Sequence, residues 1–283
     1  MIAPLLPRDA LAGIRLGLSA SDSSDLARLG LDERHFRLAL GEMARLVLLG
    51  GGTLAWGGHL DPNGLTPFLI DEIIRYGRED GEGLLVCLAW PVHRGLPLSA
   101  IVKAQTTLGL YGRIVCLDPH GAEIKAEFER DEAPEPVVDV LERAKQLTAM
   151  RRYMKRHIQG RLMIGGRRTG FQGRLPGVLE EAQMTIEAKQ PLYLAAGFGG
   201  ATADIAAAVG LEMGWLPPAH DAPPSDGAMI AGLSDLRASM TVNSLITGLN
   251  ADDLTTLACT HRPSEIATLV SRGLGSLFDP KRH

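Results

Sequence analysis

Four short turns concentrate the residues able to hold a phosphate or a sugar. They are Ser19–Ala20–Ser21, Gly57–Gly58–His59, the stretch from Gly165–Gly166 to Pro176–Gly177, and Gly197–Phe198–Gly199–Gly200. Each follows an apolar run, where a strand would end and a helix begin. Hydroxyls at Ser19 and Ser21 can donate or accept, Ala20 is small, and glycine backbone lets a ligand come close to free N–H groups. His59 suits a hydrogen bond to a base or ribose, or a structural role in its own turn. Two charged groups accompany the turns. Arg151 and Arg152 belong to a basic stretch with Lys155, Arg156 and His157, and Glu180 and Glu181 follow Gly177. Arg151 is the candidate phosphate contact, the other reading being a solvated helix face. Glu181 is the candidate acceptor for ribose hydroxyls, although acidic residues in a first helical turn also simply favour the helix dipole. Glu180 is expected to be solvated.

Several chemistries are excluded. No G-x-G-x-x-G follows the first apolar run, no G-x-x-x-x-G-K-[ST] is present, and H-E-x-x-H and G-x-S-x-G are absent. These gaps disfavour an ordinary dinucleotide-binding protein, a P-loop ATPase, a zinc protease and an α/β-hydrolase, and no metal or cofactor is expected. The net charge of −4, with dispersed basic residues, argues against a dedicated nucleic-acid binder. Cys87, Cys116 and Cys259 lack C-x-x-C spacing, and the first two sit in apolar runs, as buried strand thiols do. With no basic leader and no apolar run of membrane-spanning length, a cytoplasmic location and no membrane partner are expected.

The elements that must position these residues alternate regularly. Apolar runs at 14–18, 53–56, 84–89, 115–117, 162–164 and 192–195 read as strands, and amphipathic or capped stretches between them read as helices. Asp32 caps one in which Phe36, Leu40, Met43 and Val47 recur at helical spacing. Trp90 ends the third run, as a base-stacking ring or a core aromatic. This alternation predicts a Rossmann-like α/β fold, a mostly parallel central sheet with helices on both faces. The acidic segment 127–136 is the best internal boundary, yet the β-turn-α rhythm resumes after it. A single domain over 1–283 is therefore expected, with residues 211–283 a mostly helical extension containing a Pro-rich patch at 217–224. In such sheets ligands bind beyond the carboxyl ends of the strands. Ser19, Ser21, Gly57, Gly58, Gly165, Gly166, Gly177 and Gly199 are thus expected to border one cleft, with Ala20, His59, Arg151, Arg167 and Glu181 beside them.

LGLSAS after the first strand, AWGGH after the second and PGVLEEA at a helix start together resemble the SLOG (SMF/DprA–LOG) superfamily over roughly residues 13–210. LOG phosphoribohydrolases carry P-G-G-x-G-T-x-x-E, and Gly177–Glu181 matches its G-T-x-x-E end, making Glu181 the counterpart of the motif glutamate. Met150–Met154 loosely matches the Arg-Lys segment that precedes it. The chain departs from the pattern where the insertion RRTGFQGRLP separates Gly166 from Gly177 and where Val178 replaces the threonine. The insertion adds Arg167, Arg168 and Arg174 as further candidate contacts. The resemblance implies a sensor of a nucleotide-derived molecule, ADP-ribose-like or cyclic, in a bacterial defence or signalling system. Such a sensor would act as a homo-oligomer or with a separate effector protein. The alternative is a LOG-like N-glycosidase, with Glu181 and Arg151 as its catalytic pair.

Overall fold

The computed structural model describes residues 9–78, 81–125, 130–211 and 226–278. Seven strands form one sheet: β1 (Arg15–Ser21), β2 (Thr53–Gly57), β3 (Leu84–Leu88), β4 (Gly112–Leu117), β5 (Glu123–Ile124), β6 (Gly160–Gly165) and β7 (Leu192–Ala195). Their spatial order is β5-β4-β3-β2-β1-β6-β7, all parallel except the short edge strand β5. The six expected strands are therefore present in a single sheet that runs through both halves of the chain. Only β5, two residues long, gave no signal in the sequence.

The helices are α1 (Glu33–Leu49), α2 (Leu65–Tyr76), α3 (Trp90–His93), α4 (Leu98–Leu108), α5 (Val140–His157), α6 (Gly177–Glu187), α7 (Gly200–Ala208), α8 (Gly227–Ser239), α9 (Ala251–Cys259) and α10 (Pro263–Phe278). Strand alternation splits the apolar residues between two faces. Leu16, Leu54, Trp56, Val86 and Ile164 pack with α1, α2, α4 and α10. On the opposite face Ala55, Leu85, Cys87 and Val115 pack against Leu147, Met150 and Met154 of α5. Met163, Leu192 and Leu194 do the same with α6 and α7. Crossovers between parallel strands keep one hand, so a chain that reverses its direction of growth must carry its next helices to the other face. That reversal occurs at β1, where the chain returns from β5 through α5 to add β6. Burial pushes the Cys87 thiol up to about 12 and Cys116 up to about 11, as expected of inert strand thiols. Among the described residues no helix is long and apolar enough to cross a membrane.

Trp90 departs from expectation: it opens the short helix α3 and stacks under the Arg94 guanidinium, 5.4 Å from ring to charge. The proline at 91 explains the change, since proline at the first turn of a helix suits its fixed φ. The Pro-rich patch at 217–224 and residues 127–129 of the acidic segment lie outside the described residues.

Candidate functional site

The reversal at β1 leaves a crevice between strand ends whose following helices diverge to opposite faces. A cavity of about 560 Å³ lies there. It is lined by Ser19, Ala20, Ser21 and Asp22 after β1, by Gly57, Gly58 and His59 after β2, and by Asn63–Thr66 at the start of α2. Met150 and Arg151 of α5, Arg167 and residues 170–172 after β6, and Gly177, Val178 and Glu181 of α6 also line it, with Glu33 and Arg37 of α1 among the rest. The first three strand-end turns thus converge.

Glu181 is held from below. Its Oε2 accepts a short hydrogen bond from Ser19 Oγ and one of 3.0 Å from Arg161 Nη1, which also donates to Ser19 Oγ at 2.7 Å. Arg161 is 1% exposed and donates from Nε to Thr185 Oγ1 at 3.0 Å. It pairs across the strands with Gly17, where a side chain would press on the guanidinium. Burial works against its charge and the Glu181 carboxylate works for it, with a net lowering of its pKa. Glu181 Oε1 takes no hydrogen bond among the described residues but faces Arg151 Nε at 3.9 Å, and its side chain belongs to the cavity wall. The arrangement fixes the carboxylate between two guanidiniums at the cavity wall.

Arg151 is placed differently from expectation. It lies in the wall but is 7% exposed and ion-paired with Glu180, whose other oxygen accepts from Thr148 Oγ1 at 2.6 Å. Glu180, expected in solvent, is 2% exposed. Packing of α5 on α6 buries both charges together, which a reading of α6 alone could not show. Arg152 is exposed. Gly177 borders the cavity, yet its lack of a side chain serves Arg151: a Cβ there would stand 2.9 Å from a guanidinium nitrogen.

Gly165, Gly166 and Gly199 are not in the cavity wall. Gly165 (φ +67°) turns tightly against Phe36 and Ser21 O, and Gly166 (φ +107°) against Ala201 and Val178. Gly199 (φ +71°) makes room for Asp25. The fourth turn is a ready anion seat, but the chain fills it itself. Asp25, 0% exposed, accepts from Gly200 N at 2.7 Å at the start of α7 and pairs with Arg28 and Arg168 at 2.7 Å each. Arg168 also grips Asp204 through Nε at 2.6 Å and Nη2 at 3.0 Å. Burial alone would raise the Asp25 pKa, but hydrogen bonds from Arg28 and Gly200 and the charge of Arg168 outweigh it and hold it below the ordinary carboxylate range.

Two helix N-termini do open on the cavity. Those of α2 and α6 begin after Gly64 and Pro176, neither of which provides a side-chain cap, whereas α1, α5, α8 and α9 are capped by Asp32, Asp139, Asp226 and Asn250. Uncapped first-turn N–H groups are natural partners for an anion. Behind α2, Trp56 Nε1 donates to Thr66 Oγ1 at 2.9 Å, and that hydroxyl donates to His59 O at 2.6 Å, fixing the Gly57–His59 turn. His59 itself is exposed. At the mouth Arg167 pairs with Asp22 at 2.5 Å, both well exposed, so the pair contributes little and either partner is free to re-pair with a ligand. Among the residues that sequence reasoning missed are Arg161 and Asp25, and in the cavity wall Glu33, Arg37 and Phe171. A signal existed for the first, because a cation inside a strand buried on both faces needs a buried partner.

A parallel sheet with helices on both faces and a cavity at its switch point defines a Rossmann-like α/β protein. Residues 10–258 match the family model described as SLOG cluster2, and the chain belongs to the SLOG superfamily. No curated protein matches it. Membership is consistent with a nucleotide-related function.

Proposed function

We propose that this chain binds a nucleotide-derived small molecule in the switch-point cavity and acts as a sensor of it. The observation that carries this reading is the combination of a fixed carboxylate in the wall, Glu181, whose Oε1 has Arg151 at 3.9 Å but takes no hydrogen bond among the described residues, with two uncapped helix N-termini around one cavity of about 560 Å³. Ribose hydroxyls need an acceptor and phosphates need N–H donors, and the cavity volume falls in the usual range for small-molecule sites. ADP-ribose and its cyclic isomers combine both groups. Ser21, His59 and Arg167 add polar contacts at the rim. The signal would pass on by self-association or through a separate effector protein, as in a defence or signalling system.

A thermal-shift screen against AMP, NAD, ADP-ribose and cyclic ADP-ribose tests the reading. A ligand at 100 times its Kd stabilises the native state by about 2.7 kcal/mol, so a clear rise in Tm with at least one of the four is expected. No shift with any of them at millimolar concentration would refute the proposal.

A second reading is favoured by the same carboxylate. A buried glutamate in the cavity wall, oriented by Ser19 and Arg161, is also placed to assist an N-glycosidic bond cleavage. In that case Arg151 acts by positioning the α6 start through Glu180. Chromatography for free base after incubation with AMP or NAD separates the two readings.

A further inference from the structure

The loop between β6 and α6 is pinned at two points by buried guanidiniums. Near its start Arg168 is locked to Asp25 and Asp204. Near its end the backbone at Gly173 and Gly177 lies against Arg151 so closely that a Cβ at either position would stand 2.9 Å from a guanidinium nitrogen. Between the pins, residues 169–172 form a short tip that is exposed apart from Phe171, which is half-buried. Gly170 at the tip has φ +67° and open space around it.

Phe171 lines the cavity. It packs into none of the three hydrophobic clusters and meets no other ring among the described residues. A phenyl ring carries a large apolar surface that a fold normally buries. Here two ion-paired anchors hold it at a cavity instead. The other aromatic in the wall, Trp56, is 5% exposed and bonded to Thr66, so its ring is part of the core.

We infer that Phe171 is the stacking surface for the planar base of the ligand, an inference that rests on the nucleotide-binding reading above. The base lies against the loop tip, while the sugar and phosphate face Glu181 and the helix N-termini. The pins matter because a preorganised ring loses little freedom when the base arrives.

The test compares AMP and ADP-ribose with ribose 5-phosphate, which has no base, by calorimetry on wild type, Phe171→Ala and Phe171→Trp. Phe171→Ala is expected to weaken AMP and ADP-ribose roughly 5- to 150-fold, the range for losing one base-aromatic stack, and to leave ribose 5-phosphate within twofold. Its thermal melting should match wild type, since the ring is outside the core. Phe171→Trp should retain affinity and show indole fluorescence quenched by AMP but not by ribose 5-phosphate. If wild type and Phe171→Ala bind AMP and ADP-ribose equally, the stacking role is overturned and the nucleotide reading stands. If none of AMP, NAD, ADP-ribose and cyclic ADP-ribose binds wild type, both fall together.

Discussion

Glu181→Ala is expected to destabilise the protein by about 3–5 kcal/mol, because it leaves Arg161, 1% exposed, without its carboxylate. The loss should appear as a lower midpoint in urea with an unchanged slope. The replacement of both partners by apolar residues, Arg161→Met with Glu181→Leu, should recover most of it, since the cost lies in the unpaired buried charge and not in the absence of the pair. Equal destabilisation by the single and the double variant would show that the two side chains are not coupled. Glu181→Gln keeps the shape and an amide oxygen, so it is the variant for functional work. Under the sensor reading it weakens ligand binding through the lost acceptor charge. Under the glycosidase reading it leaves binding largely intact and lowers turnover by roughly 10²–10⁴-fold.

Asp25→Ala is expected to have an effect of similar size on stability, about 3–5 kcal/mol, against a total of only about 5–15 kcal/mol for a typical fold. The carboxylate is 0% exposed and serves three partners at once, Arg28, Arg168 and the first N–H of α7. Its removal uncaps α7 and leaves Arg168, one of the two pins of the β6–α6 loop, held by Asp204 without Asp25, so ligand affinity should fall together with stability. A variant with wild-type Tm would overturn the assignment of Asp25 as the loop's anchor. The same group sets a pH dependence. Its native pKa is lowered, so the stabilisation it provides is fully present above its unfolded value, about 4, and is lost as pH falls through the native value. Denaturation midpoints measured from pH 6 down to pH 2 should therefore fall less steeply below pH 4 in Asp25→Asn than in wild type.

Arg151→Ala illustrates how tertiary contacts change an expectation. On sequence grounds Arg151 is a ligand contact at the cleft, removable without harm to the fold. In the structure its partner Glu180 is 2% exposed, so truncation strands a buried carboxylate and lowers stability. A loss of ligand affinity in that variant must be read beside its melting temperature.

The fold was legible in the chain because its signals are local. Continuous apolar runs such as LLVCL at Leu84–Leu88 mark strands covered on both faces, Asp32 marks the start of α1, and glycine pairs mark strand ends. The same signals, with the strand-end rule, brought Ser19, Gly57, Gly58, His59, Arg167, Gly177 and Glu181 to one cavity. What they could not reveal is which of the charged groups there are already spoken for. Ser19 and Glu181 are 162 residues apart, Arg161 and Ser19 142, and Asp25 and Gly200 175. Glycines 165, 166, 177 and 199 look alike in sequence, but three of them make room for the protein's own packing and the fourth for Arg151. Strand and turn formation depends on neighbours along the chain, so sequence determines it directly. The pairing of buried charges depends on which helices the sheet brings face to face, and only the packed structure decides that.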